Sequence, residues 1–142
     1  MRLLIDTNVY LEYFLKREKY DDVFAFFHTL YERKNQTCVS AMSLRDIEYV
    51  MHKCLKSNEL ARRLVQQVYQ MTSKVVSISA DAAIGSIYSE AEDYEDSLQM
   101  ITAEEAMCDA IITYNKKDFE KSNLPVFTPE EMNDIWLKEN RL

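Results

Sequence analysis

Arg2-Leu3-Leu4-Ile5-Asp6-Thr7-Asn8-Val9 opens the chain with a short apolar run that stops at an acid. A run this short, bounded by polar residues, reads as a buried strand rather than a helix. Strand Arg2–Asp6 then feeds a helix expected over Val9–Lys16, with Asn8 or Thr7 as its N-cap, because short polar side chains satisfy the free backbone N–H groups of a helix start. A buried strand that runs straight into a helix is the first half of a parallel strand–helix–strand unit.

The same alternation continues outward from that opening. Asp21–Arg33 is expected to be a helix with Val23, Phe24, Phe27, Leu30 and Tyr31 on one face and acids at its positive end. Thr37–Ser40 reads as a strand. Ser43–Lys56 reads as a helix with Leu44, Ile47, Met51 and Leu55 inward, and Asn58–Met71 as another with Leu60, Leu64, Val68 and Met71 in register. Lys74–Ile78 is β-branched and reads as a strand, followed by a helix over Ala80–Glu90. A further helix runs from Asp93 to about Met107, with Leu98, Ile101 and Thr102 inward. Ala110–Thr113 and Val126-Phe127 are the last strands. Thr128-Pro129-Glu130-Glu131 opens the final helix with an N-cap, a proline at the first helical position and a capping-box glutamate. The pattern predicts an α/β fold: one domain over residues 1–142, with a central parallel sheet of four to five short strands flanked by helices on both faces.

Composition narrows the function classes. One domain of 142 residues buries enough surface to fold without disulfides or structural metal. Cys38, Cys54 and Cys108 are odd in number and scattered, so they read as reduced thiols in a cytoplasmic protein, and two histidines exclude a histidine-rich metal site. No secretory core or membrane-length apolar run is present. The formal net charge of −7 argues against a module that binds nucleic acid by phosphate neutralisation alone. It suits an enzyme whose acids gather around divalent cations, which reverse the local sign. A single glycine excludes phosphate-loop and dinucleotide-binding motifs.

In parallel sheets ligands bind beyond the carboxyl ends of the strands. Asp6 ends the first strand, Asp46 is expected in the first turn of the helix after the second strand, Asp96 in the first turn of a later helix, and Asn115 just after the Ala110 strand. All four are placed to converge, and oxygen-only donors suit hard cations such as Mg²⁺ and Mn²⁺. Plainer roles stand beside this one. Asp6 is also positioned to cap the following helix. Asp46 stands three residues after Ser43 and Asp96 three after Asp93, which are capping-box spacings. Asp93, Glu95 and Asp96 also suit a helix dipole, and spacing alone does not choose.

Several segments, in order, resemble the PIN-domain family, particularly its VapC-like branch. They are Leu3 to Val9, Ser40-Ala41-Met42-Ser43-Leu44, Asp93-Tyr94-Glu95-Asp96-Ser97-Leu98-Gln99, Ala110-Ile111-Ile112-Thr113-Tyr114-Asn115, Lys117-Asp118-Phe119 and Leu124 to Glu131. The resemblance implies a Mg²⁺- or Mn²⁺-dependent endoribonuclease, the toxin of a toxin–antitoxin pair, with RNA as substrate, a small antitoxin as partner and a homodimer as assembly. Carried over by position, Asp6, Asp46 and Asp96 are the catalytic acids and metal ligands. Glu48 lies roughly 200° from Asp46 around a helix, so both cannot face the site. Asn115 takes a fourth position that is often acidic in the family, with Asp118 as its substitute. Thr7, Asn8 and Thr113 orient ligands or hold water or phosphate, and Lys116 and Lys117 flank the site toward the RNA backbone. The competing expectation is a catalytically inactive PIN-like module that binds protein or RNA. Dehalogenase-type phosphatases require a second acid where Asn8 stands, and receiver domains require paired acids near the first strand.

Overall fold

The computed structural model describes residues 1–140; positions 141 and 142 of the expected domain lie outside the described residues. Five strands form one parallel sheet: β1 (Arg2–Ile5), β2 (Gln36–Ser40), β3 (Lys74–Val76), β4 (Ala110–Ile112) and β5 (Val126–Phe127), in the order β3-β2-β1-β4-β5. Parallel neighbours need crossover connections, and helices provide them. Helices α1 (Thr7–Phe14) and α2 (Tyr20–Glu32) join β1 to β2. Helices α3 (Ala41–Leu55) and α4 (Asn58–Gln70) join β2 to β3, and α5 (Ala80–Ile87) and α6 (Tyr94–Glu105) join β3 to β4. A 3₁₀ turn over Lys116–Phe119 precedes β5, and α7 (Pro129–Glu139) closes the chain. The expected four-to-five-strand α/β architecture is the one observed.

Strand periodicity of two assigns alternate side chains to opposite faces. Leu3, Ile5, Val39, Ala110 and Ile112 point into the larger core, with Val9 and Tyr10 of α1, Phe26 of α2, Ile47 of α3, Val68 of α4 and Trp136 of α7. Leu4, Cys38, Val76 and Ile111 point into the smaller one, with Met100 and Ala103 of α6 and Phe119 of the 3₁₀ turn. Both faces of β1 and β4 are therefore dry, as a central parallel strand requires.

The inward face of α2 differs from expectation. Phe26 is fully buried, whereas Phe24 and Tyr31 are exposed at 51% and 46%. Phe26 stacks on Trp136 of α7 with ring centroids 5.7 Å apart, and a partner so distant in sequence sets the phase of the helix. Leu55 and Leu60, expected inward, sit at exposed positions of α3 and α4; Met51 reaches the core as expected, and Ala61 does so in place of Leu60.

The order of strands matters for function. From β1 the chain moves through β2 to β3 on one side, then crosses to β4 and β5 on the other. The gap beyond the carboxyl ends of β1 and β4 is thus the topological switch point, where parallel sheets bind ligands. Asp6 follows β1 there and Thr113 follows β4.

Candidate active site

Asp6 is the centre of this crevice. Its side chain is buried, and its backbone N–H continues the β1–β4 ladder by donating to the carbonyl of Ile112 at 2.9 Å. It is also the N-cap of α1, correcting the expectation that Asn8 or Thr7 plays that role and starting the helix two residues early. Oδ1 accepts from the Thr7 N–H at 2.8 Å and from Gln99 Nε2 at 3.1 Å. Oδ2 accepts from Thr113 Oγ1 at 2.8 Å and from Asn8 Nδ2 at 3.0 Å. Burial nevertheless raises its pKa above the usual carboxylate range, against the lowering effect of those four donors.

The donors are themselves held. Gln99 Nε2 also donates to Ser43 Oγ at 2.8 Å, and Ser43 Oγ receives the hydroxyls of Thr7 at 3.0 Å and Ser40 at 3.1 Å. Asn8 Oδ1 accepts the Tyr114 N–H, which ties α1 to the end of β4. The orienting roles expected of Thr7, Asn8 and Thr113 thus have specific partners. Gln99 and Ser43 belong to the same network and were not expected there. The available signal was an amide in the apolar run Leu98-Gln99-Met100, one helical turn after Asp96.

Asp46 sits in the second turn of α3, because Ser40 rather than Ser43 caps that helix. The capping-box reading of Asp46 is thereby excluded. Its Oδ1 accepts from Arg45 Nη1 at 3.0 Å, while Oδ2 is buried with no hydrogen-bond partner. Glu95, at the second position of α6, stands against Asp46. Partial burial and that neighbour raise the Glu95 pKa to about 7. Asp96 is half-buried at the next position. Its backbone N–H and that of Glu95 are received by Asp93, the N-cap of α6. Partial burial, then Asp93, Asp118 and Asp6, raise the Asp96 pKa to about 7.

Asp6 is among the carboxylates that raise both Glu95, which stands against Asp46, and Asp96, which Asp118 also raises. Among the described residues, no three His, Cys, Asp or Glu side chains gather closely enough to hold a metal ion. The donor set is nonetheless the kind a hard cation takes. All candidates are oxygens, one carboxylate oxygen is buried without a donor, and burial together with neighbouring carboxylates raises the pKa of Glu95 and Asp96. Mg²⁺ or Mn²⁺ fits that chemistry.

Asn115 is exposed, and among the described residues no hydrogen bond involves its side chain. Asp118 contributes to the Asp96 shift and lines the same cavity of about 460 Å³. Asp6 and Asp46 are not among the residues lining that cavity. Lys116 Nζ is turned away to α7, where it contacts both carboxylate oxygens of Glu131 at 2.9 and 2.8 Å.

Fold and site together place the chain among α/β proteins with an acidic crevice at the switch point of a parallel sheet. Within that class it belongs to the PIN-domain family, whose model matches residues 2–117 and whose members are generally nucleases. Comparison with curated proteins found no match. Among solved structures it is similar to VapBC2 from Rickettsia felis bound to a DNA fragment from their promoter, with TM-score 0.70 and 19% identity over 89% of this chain and 97% of that one. It is also similar to FitAB bound to an IR36 DNA fragment, with TM-score 0.70 and 19% identity over 90% and 95% of the two chains. A toxin–antitoxin complex from Klebsiella pneumoniae matches with TM-score 0.65 and 24% identity over 91% and 98%. No helix among the described residues is long and apolar enough to cross a membrane.

Proposed function

We propose that this chain is a Mg²⁺- or Mn²⁺-dependent endoribonuclease, the toxin of a toxin–antitoxin pair, acting in the cytoplasm. The observation that carries the proposal is the crowding of carboxyl groups around Asp6 at the switch point, with a buried Asp46 oxygen left without a donor. Like charges this close are costly unless a cation lies between them. Asp6, Asp46 and Asp96 would hold that cation, with Asp118 or Asn115 completing its coordination. A bound divalent ion supplies a water of lowered pKa and charge stabilisation for the leaving oxygen of a phosphodiester. Thr7, Asn8, Thr113 and Gln99 keep the Asp6 carboxylate oriented. The antitoxin partner is supported by the complex from Klebsiella pneumoniae. A homodimer remains part of the proposal through the family resemblance.

The inactive binding-module reading draws on one observation: all four acceptor positions of Asp6 are already taken by protein donors. Cleavage of labelled single-stranded RNA separates the two. Wild type should cut with Mg²⁺ or Mn²⁺, stop on chelation, and lose activity as Asp6→Ala or Asp96→Ala. Folded wild type that cuts no RNA supports the module, and cutting that survives chelation removes the metal.

A further inference from the structure

Helix α3 turns one stripe of its surface to solvent. Arg45, Tyr49 and Lys53 recur at every fourth position and are all exposed. Side chains four apart lie one above the other on a helix, so the three form a line about 12 Å long. The Arg45 guanidinium carbon lies 5.5 Å from the centre of the Tyr49 ring, and Lys53 Nζ lies 5.3 Å from it. Both distances are those of a cation–π contact. Tyr49 stays 50% exposed, yet its ring is held in a set pose by a cation from each neighbouring turn.

The stripe begins at the candidate site. Arg45 Nη1 donates to Asp46 Oδ1 at 3.0 Å, so its upper end touches one of the proposed metal ligands. Among the described residues, Asp46 is the one carboxylate at ion-pair distance from Arg45, and Lys53 has none. Glu48, the other acid of α3, is half-buried and stands roughly 100° around the helix from Tyr49. A molecule of net charge −7 thus carries, beside its acids, a face that is locally basic and aromatic.

We propose that Tyr49, set between Arg45 and Lys53, is a stacking platform for an unpaired base of the RNA. This assignment rests on the ribonuclease reading above and goes beyond it in naming a residue that selects among bases. Every base offers a π face, and both an aromatic ring and a guanidinium plane stack on it. The flanking cations answer the phosphates on either side of that base. An acidic protein would engage the two cations, but the ring between them suits a flat ligand that also carries charge, and a nucleotide is both. Preferences of such platforms follow stacking strength, so the larger face of a purine is favoured over a pyrimidine.

The test compares Tyr49→Ala and Tyr49→Phe with wild type. Anisotropy of labelled oligo(A) and oligo(U) on the Asp96→Asn background gives binding without turnover, and cleavage of labelled single-stranded RNA with Mn²⁺ gives KM and kcat separately. Tyr49→Ala should weaken oligo(A) binding by about tenfold and oligo(U) binding by less, and should raise KM with kcat kept, whereas Tyr49→Phe should match wild type. Lys53→Ala should flatten the slope of log affinity against log salt by about 0.7, the value of one phosphate contact on a single strand. Tyr69→Ala, at an exposed position in the last turn of α4, should change none of these. Tyr49→Ala with wild-type affinity and KM overturns the assignment and leaves the ribonuclease reading standing; a stripe that serves an acidic protein gives this result. Equal losses in Tyr49→Phe and Tyr49→Ala also overturn it, because the hydroxyl and not the ring face would then be responsible. If wild type neither binds nor cuts RNA, the ribonuclease reading fails and this assignment falls with it. Tyr49 is exposed, so melting temperatures near wild type should confirm intact folding of both variants.

Discussion

Asp6 accepts as many hydrogen bonds as a carboxylate can, so the protein has oriented it before any ligand arrives. Gln99 is the donor that links α6 to the end of β1 and, through Ser43, to α3. Its Oε1 is buried without a partner, so the side chain is retained for its N–H group and at some cost. Gln99→Ala should therefore weaken Mn²⁺ binding or kcat by about 10- to 100-fold, the range usual for residues that orient metal ligands. Titration and steady-state kinetics check this, and an unchanged variant would mean that Asp6 is positioned without it. Asp96 has a folded-state pKa of about 7 against an ordinary 3.8. The folded protein then holds the Asp96 proton over a range where the unfolded chain has lost it. Between those two values the native state binds more protons, so metal-free stability from this group falls as pH rises, and the full penalty is present above about 7. Asp96→Asn should flatten that slope and raise the metal-free melting temperature at pH 8 while removing activity. A variant that melts lower at that pH would make Asp96 a helix-start residue and nothing more.

Helix α5 carries the only glycine, Gly85, in its interior. A Cβ there would meet Ile101 Cδ1 of α6 at 3.4 Å, an ordinary contact. Gly85→Ala should stabilise the protein by roughly 0.5–1 kcal/mol, because alanine loses less backbone entropy in a helix. Thermal melting checks it, and a lower melting temperature would show that Ile101 cannot yield. The elements themselves were mostly legible in the sequence. Periods of 3.6 and 2, with Thr128-Pro129 and Asp93 as start signals, locate every expected α-helix and strand to within a few residues, because these signals are local, but not the 3₁₀ turn at Lys116–Phe119. What was illegible depended on distant partners. The phase of α2 is set by Trp136, and the start of α3 by Ser40, whose hydroxyl joins Ser43 in the network around Asp6. Strand order belongs to the same category, since nothing in Ala110-Ile111-Ile112 says that it pairs with β1.

At the scale of the molecule, the order β3-β2-β1-β4-β5 brings Asp6, Asp96, and Thr113 with Asp118 to one end of the sheet from three separate parts of the chain. Asp6 and Asp96 were readable as element-end residues, because acids at strand ends and helix starts are a sequence pattern, whereas Asp46 falls in the second turn of α3 and not at its start. Glu95 and Gln99 were not, because their roles come from what α6 faces once α3 and β1 are in place. A cation held by this arrangement, as proposed, leaves a signature in protons. Metal binding to carboxyl groups that titrate near neutrality must displace protons. Titration calorimetry of Mn²⁺ into wild type and Asp96→Asn at pH 6.5, in two buffers of different ionisation enthalpy, measures both affinity and proton release. The account predicts binding to wild type with net proton release, and weaker binding with less release in Asp96→Asn. Equal affinity and equal proton release in the two proteins, or no binding to folded wild type, would contradict it.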